Sequence, residues 1–196
     1  MTSTVTAKTS IVGLEQWTSV ISQAFNPMSF DYLPNGPAST FEAQLSNTKF
    51  NRVQLSCVGS DAIRVIRNKS NIAQATDPQY LVKFQLDGEG FVQHRNREAH
   101  LRPGDFVMCS STDPYQLLFP DSYRQAVLAI PQDILNTMHG NAEDYLGIRM
   151  SGESPIHGLV SQFVTSLVSR IDQLSPTVVN SLEANVLDLL VTALNS

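Results

Sequence analysis

The run FQLDGEGFVQHRNREAHLRPGDFVM, residues 84–108, constrains this chain more than any other part of it. Apolar residues alternate up to Leu86, and Gly88-Glu89-Gly90 then interrupts them. A second strand leads into a polar turn near Arg95 and Asn96. A third ends in Pro103-Gly104-Asp105, and a fourth begins at Phe106. Tight turns joining short strands at this spacing describe a β-barrel of the jelly-roll kind. Such a barrel holds a metal or a small ligand, and the side chains facing inward decide which.

Alternation with period two covers the whole middle of the chain. Candidate strands lie at 41–45, 50–58, 62–67, 80–86, 90–94, 98–101, 105–109, 115–119 and 124–130. Turn residues such as Asp77-Pro78, Asp113-Pro114 and Pro120-Asp121 separate several of them. Closure into a barrel removes exposed strand edges. Before this region, Met1–Ser10 reads as a polar mobile arm. Leu14, Trp17, Ile21 and Phe25 then fall at helical spacing within 11–25. Residues 26–40, with Pro27, Pro34, Gly36 and Pro37, read as an irregular connector.

After Pro131 the period changes again. Residues 132–146 read as a short helix and a loop. Ser154-Pro155 opens a long helix, Ser175-Pro176 breaks it, and a second helix follows. Their short connection makes them antiparallel neighbours. The expected organisation is an N-terminal arm and helix (1–40), a β-barrel (41–131) and a helical segment (132–196). The fold class is mainly β with α. The helix pair is more apolar than a surface hairpin requires. Phe163, Leu187 and Val191 need cover beyond one stripe, supplied either by the barrel or by a second copy of the chain.

The net charge of −5 in 196 residues argues against this chain itself gripping a nucleic-acid backbone. Cys57 and Cys109 are isolated and form no CxxC, which fits buried thiols in a reducing compartment. The first ten residues have no apolar core of a secretion signal, and no apolar run was expected to reach the ~20 residues of a membrane span. The expected location is cytoplasmic, with no membrane partner.

Four features together resemble the N-terminal effector-binding and dimerisation domain of AraC/XylS-family transcription regulators. They are LDGEG at 86–90, NREAHLRPGD at 96–105, the strand ending AVLAIP at 126–131, and the closing helix pair. The resemblance spans roughly residues 41–194. It implies a cupin-like barrel, a homodimer through the C-terminal helices at Phe163, Leu187 and Val191, and a small-molecule effector. DNA binding would belong only to a helix-turn-helix domain beyond this chain. Asn96 stands where the family more often has Gly; Asn also tolerates left-handed backbone angles.

The resemblance places effector contacts at Arg67, Tyr115, Leu117, Arg124 and Ala126. Two guanidinium groups and a phenol in an apolar barrel suit an anionic ligand with an apolar or aromatic body. Arg64 and Lys83 oppose apolar residues on their strands and are expected to be exposed, as are Gln85 and Gln93 unless the parity slips by one residue. No HxH pair exists among His94, His100, His139 and His157, so no metal or other cofactor is expected. Ser110 and Ser111 have no activating base placed by spacing. The expected protein is not an enzyme. A metal-dependent cupin enzyme and a ligand-free interaction module stand as the alternatives.

Overall fold

The computed structural model describes residues 7–33, 41–75 and 77–196. The strands in chain order are β1 (Ala7–Val12), β2 (Ser29–Tyr32), β3 (Glu42–Lys49), β4 (Gln54–Ser60), β5 (Ile63–Arg67) and β6 (Gln79–Asp87). They continue as β7 (Gly90–His94), β8 (Arg97–Leu101), β9 (Phe106–Ser110), β10 (Tyr115–Phe119), β11 (Tyr123–Pro131) and β12 (Arg149–Met150). The helices are α1 (Leu14–Ala24), α2 (Lys69–Ala73), α3 (Gln132–Met138), α4 (Pro155–Arg170) and α5 (Pro176–Leu194). A seven-stranded sheet runs β1-β3-β4-β11-β6-β9-β12, and a five-stranded sheet runs β2-β5-β10-β7-β8. The strand pairs are antiparallel. Two such sheets face to face, followed by a helix pair, are the expected cupin-like jelly roll.

Local chemistry fixes the turns. Arg95 and Asn96 join β7 to β8 with φ of 48° and 59°. Two consecutive left-handed residues make the type I′ hairpin, whose twist matches that of the strands. Gly104 in the Pro103-Gly104-Asp105 turn has φ of 97°. Asp105 then accepts hydrogen bonds from the Arg102 N–H (2.9 Å), the Gly152 N–H (2.9 Å) and Arg149 Nε (2.8 Å). One carboxylate thus ties the turn to the approach of α4. Burial works to raise the Asp105 pKa, but these hydrogen bonds outweigh it and hold the carboxyl below its ordinary range.

Two cores result. The outer one lies between the seven-stranded sheet and the helices, and joins Tyr80, Val82, Phe84, Ala126, Leu128 and Ile130 to Val164, Val186, Leu187 and Leu190. The inner one lies between the sheets and is capped by Trp17 and Ile21 of α1. The central strands β6 and β11 are therefore buried on both faces.

The chain before the barrel differs from expectation. Ala7–Val12 is a strand paired with β3, and Ser29–Tyr32 pairs with β5. Both extend the sheets at their edges, where backbone pairing decides and the side-chain pattern is weak. Met1–Thr6 of the expected arm and residues 34–40 of the connector lie outside the described residues. The apolar run of α5 also exceeds expectation: it is 19 residues long with mean hydropathy 1.3, enough to cross a membrane by length and composition alone. Here Val179, Val186, Leu187, Leu190, Ala193 and Leu194 of this helix pack into the outer core.

Candidate functional site: a cationic hollow between the sheets

The inward face of the five-stranded sheet follows directly from alternation. On β5, Ile63, Val65 and Arg67 point inward; on β10, Tyr115, Leu117 and Phe119 do. Register aligns Arg67, Tyr115 and His94 as one row across β5, β10 and β7. The facing surface comes from β6, β9, β4 and β11, which present Lys83, Gln85, Cys109, Val58, Gln125 and Val127.

A cavity of about 40 Å³ lies between these faces. Lys83, Gln125, Tyr123 and Val127 form one wall, and Val65 and Leu117 the opposite one. Trp17, Ile21, Phe25, Met28 and Phe30 close it from the side of α1 and β2. The wall is apolar except around Lys83. Gln125 Nε2 donates to Gln85 Oε1 (2.7 Å), and Gln85 Nε2 donates to the Asp87 carbonyl (2.8 Å), so these amides are mutually satisfied.

Lys83 is different. Its side chain is buried, with the residue 4% exposed. Its Nζ sits 5.5 Å from the centre of the Tyr115 ring. Among the described residues no carboxylate pairs with it. Its charged or ionisable neighbours are the Cys109 thiol and another cation, Arg67. Burial pushes the Lys83 pKa down; proximity to Cys109 works weakly against this and Arg67 adds to it. Burial likewise raises the Cys109 thiol to about 11 and moves the Tyr115 phenol up. An ammonium that is buried and unpaired is costly, and a bound anion is the direct remedy.

The five expected contacts do not all meet here. Leu117 lines the cavity, and Tyr115 lies beneath Lys83. Arg67 is buried and inward, but carbonyls hold its guanidinium: Nε donates to Ser111 (2.7 Å) and Nη1 to Pro27 (2.6 Å). Arg124 and Ala126 do not line this hollow. Ala126 belongs to the outer core, and Arg124 is exposed in a surface groove with Glu42, Asp61 and Asp87. Alternation along β11 grouped these residues correctly, but the inward set is Tyr123, Gln125 and Val127. A strand buried on both faces gives no polar side by which to orient it.

The same ambiguity hid Lys83. Tyr80, Val82 and Phe84 of β6 face the helices, so the opposite face, carrying Leu81, Lys83 and Gln85, is the barrel interior. Gln93 is exposed as expected, whereas Gln85 is buried. Leu187 is buried within the protomer, and Phe163 and Val191 are half-buried against the outer core. Among the described residues no group of three His, Cys, Asp or Glu side chains is placed to hold a metal ion. Cys57 and Cys109 form no disulfide.

Comparisons with known proteins agree with this architecture. A crystal structure of the AraC-like transcriptional activator CuxR superposes with a TM-score of 0.83 over 97% of this chain and 70% of that one, at 15% identity. The transcriptional activator NphR of Rhodococcus sp. is 24% identical over 189 residues, which are 93% of this chain and 54% of that protein. An uncharacterised protein of the nit 5′ region in Bacillus sp. (strain OxB-1) is 29% identical over 158 residues, 80% of this chain and 61% of that protein. The chain thus spans little more than half the length of these curated relatives. The family model of the AraC-binding-like domain matches residues 17–195, from the tryptophan that caps the cavity to the end of α5. The chain belongs to the AraC-binding-like domain family, the effector-binding part of AraC-type regulators.

Proposed function

We propose that this domain senses a small organic anion held between its two sheets, with Lys83 as the counter-charge. The observation that carries this reading is an ammonium, buried without a carboxylate partner, on the wall of an interior hollow. The apolar surfaces of Trp17, Phe25 and Phe30 suit an aliphatic or aromatic body on the same ligand. The fixed amide pair Gln85–Gln125 offers a polar contact beside the charge.

At about 40 Å³ the hollow has room only on the scale of water, for which roughly 10–15 Å³ per molecule suffices. Ligand entry therefore requires the cap to yield. Of the α1 side chains, only Trp17 and Ile21 are fully buried, so this helix is a lightly anchored wall. A ligand that favours the displaced cap shifts the domain between two states, which is the requirement for a sensor. Regulation of transcription then belongs to a longer protein whose DNA-binding part lies beyond this chain, acting in the cytoplasm as a homodimer. Phe163 and Val191, half-buried at the helical layer, support α4 and α5 as the dimer surface.

The test is a thermal-shift panel of small carboxylates against their neutral amides. Benzoate and hexanoate should raise the melting temperature, benzamide and hexanamide should not, and Lys83→Met should abolish the difference. Equal response to acid and amide would refute the anionic reading. Size-exclusion chromatography of Val191→Asp should give monomers from a dimeric parent.

A further inference from the structure

Arg67 is a second buried cation without a carboxylate partner, and it does not line the interior hollow. It lies 1% exposed at the end of the barrel, beneath a separate cleft of about 560 Å³. Its two carbonyl bonds leave Nη2 with no acceptor. Arginine stays charged when buried, so it cannot shed the cost by deprotonating.

Its surroundings add to the imbalance. Lys69 lines the same cleft, is exposed, and makes no ion pair among the described residues. Asp113 is the only carboxylate among the cleft's lining residues, and Arg95 already occupies it; Arg95 also reaches Glu143 at 3.1 Å. His94 also lines the cleft, 1% exposed, and neither ring nitrogen has a hydrogen-bond partner. Its Nε2 approaches Asp113 Oδ2 only to 3.4 Å. The amides of Asn68, Gln93 and Gln116 complete the polar rim. Register explains the convergence: Arg67 and His94 flank Tyr115 in one cross-strand row. Tyr115 lines this cleft and carries Lys83 over its ring, so it stands as the partition between cleft and interior.

We propose that this cleft at the barrel end is a second binding site, for the oxyanion group of a small phosphate or carboxylate. Arg67 supplies the buried charge, Lys69 the exposed one, and the His94 ring a further hydrogen bond. The site is distinct from the Lys83 hollow, because a different cation serves it and the two share no lining residue.

Inorganic phosphate and acetate, each titrated at constant ionic strength against chloride, test it in the intact chain. NMR of the His94 ring nitrogens reports the cleft, and Trp17 fluorescence reports the interior. Saturable His94 shifts with phosphate or acetate, absent with chloride and without change at Trp17, are the expected result. The stronger of the two ions identifies the head group. Lys69→Glu, at an exposed position that leaves the fold intact, should weaken binding about tenfold or more. Arg170→Glu on α4 makes the same charge change elsewhere and should leave it unaltered. Three results would overturn the site: no saturable His94 response, equal affinity in Lys69→Glu and the parent, or a Trp17 change that tracks the His94 shift.

Discussion

The two faces of the seven-stranded sheet are both covered and do different things. On the helix side, Phe84 stacks on Phe106 at 4.7 Å, and the aliphatic side chains of α4 and α5 fill the rest. Its buried phenol, Tyr80, donates to Asn136 at 2.9 Å. On the barrel side, Lys83 is buried over the Tyr115 ring with no carboxylate partner among the described residues, and Arg67 and His94 carry nitrogens without hydrogen-bond partners. The comparison teaches that burial alone does not separate scaffold from site. The helix side also leaves a ring nitrogen each of His139 and His157 without a partner; what sets the barrel side apart is buried charge, since Lys83 and Arg67 have no carboxylate partner among the described residues.

Mutations should divide along the same line. Phe84→Ala removes a fully buried ring from the complete layer and should cost about 3–5 kcal/mol in denaturant unfolding. Leu117→Ala only enlarges an existing hollow and should fall near 2 kcal/mol, the low end for its type. Similar losses at both positions would erase the distinction between the layers. Asp105→Ala frees four donor groups at the junction of barrel and α4, and should cost about 1–3 kcal/mol.

Lys83→Met should go the other way, stabilising the ligand-free domain by about 1–2 kcal/mol at neutral pH. The pH dependence has a definite sign. The Lys83 pKa in the folded chain lies below its ordinary 10.5, so between those values the unfolded chain binds more protons. The parent should therefore gain stability as pH rises through that window, and Lys83→Met should lack that gain. Parallel stability curves for the two proteins would contradict the burial of this charge. The smallest effect is expected at Arg124→Ala: exposed and outside the hollow, it should stay within about 0.5 kcal/mol and leave the response to carboxylates intact.

These contrasts also explain what the amino-acid sequence disclosed. Four strands of the five-stranded sheet, β5, β7, β8 and β10, were legible because their outer face is wet: Arg64, Gln93, Glu98 and Gln116 mark that side, and Tyr115, Leu117 and Phe119 the other. The hairpin at Arg95-Asn96 and the turn at Gly104 were legible from turn chemistry alone. The helix pair announced itself through Pro155 and Pro176 at its first turns. Strands β6 and β11 kept their alternation but hid its direction, since both faces are covered. That is why the pattern could not test the inward placement that the resemblance implied for Arg124 and Ala126, and why Lys83 was expected outside. The edge strands β1 and β2 were missed because backbone partners far along the chain, β3 and β5, define them. A charged residue in the middle of an otherwise apolar central strand was the available signal for Lys83.

One titration addresses the central claim most directly. In protein labelled at the lysine Cε carbons, NMR follows the ionisation of Lys83 with and without saturating benzoate. The account predicts ionisation below 10.5 in the free domain and an upward move when the carboxylate binds, as the ammonium gains its missing partner. An ordinary value that ignores the carboxylate would place Lys83 in water, and the interior anion site would fall with it.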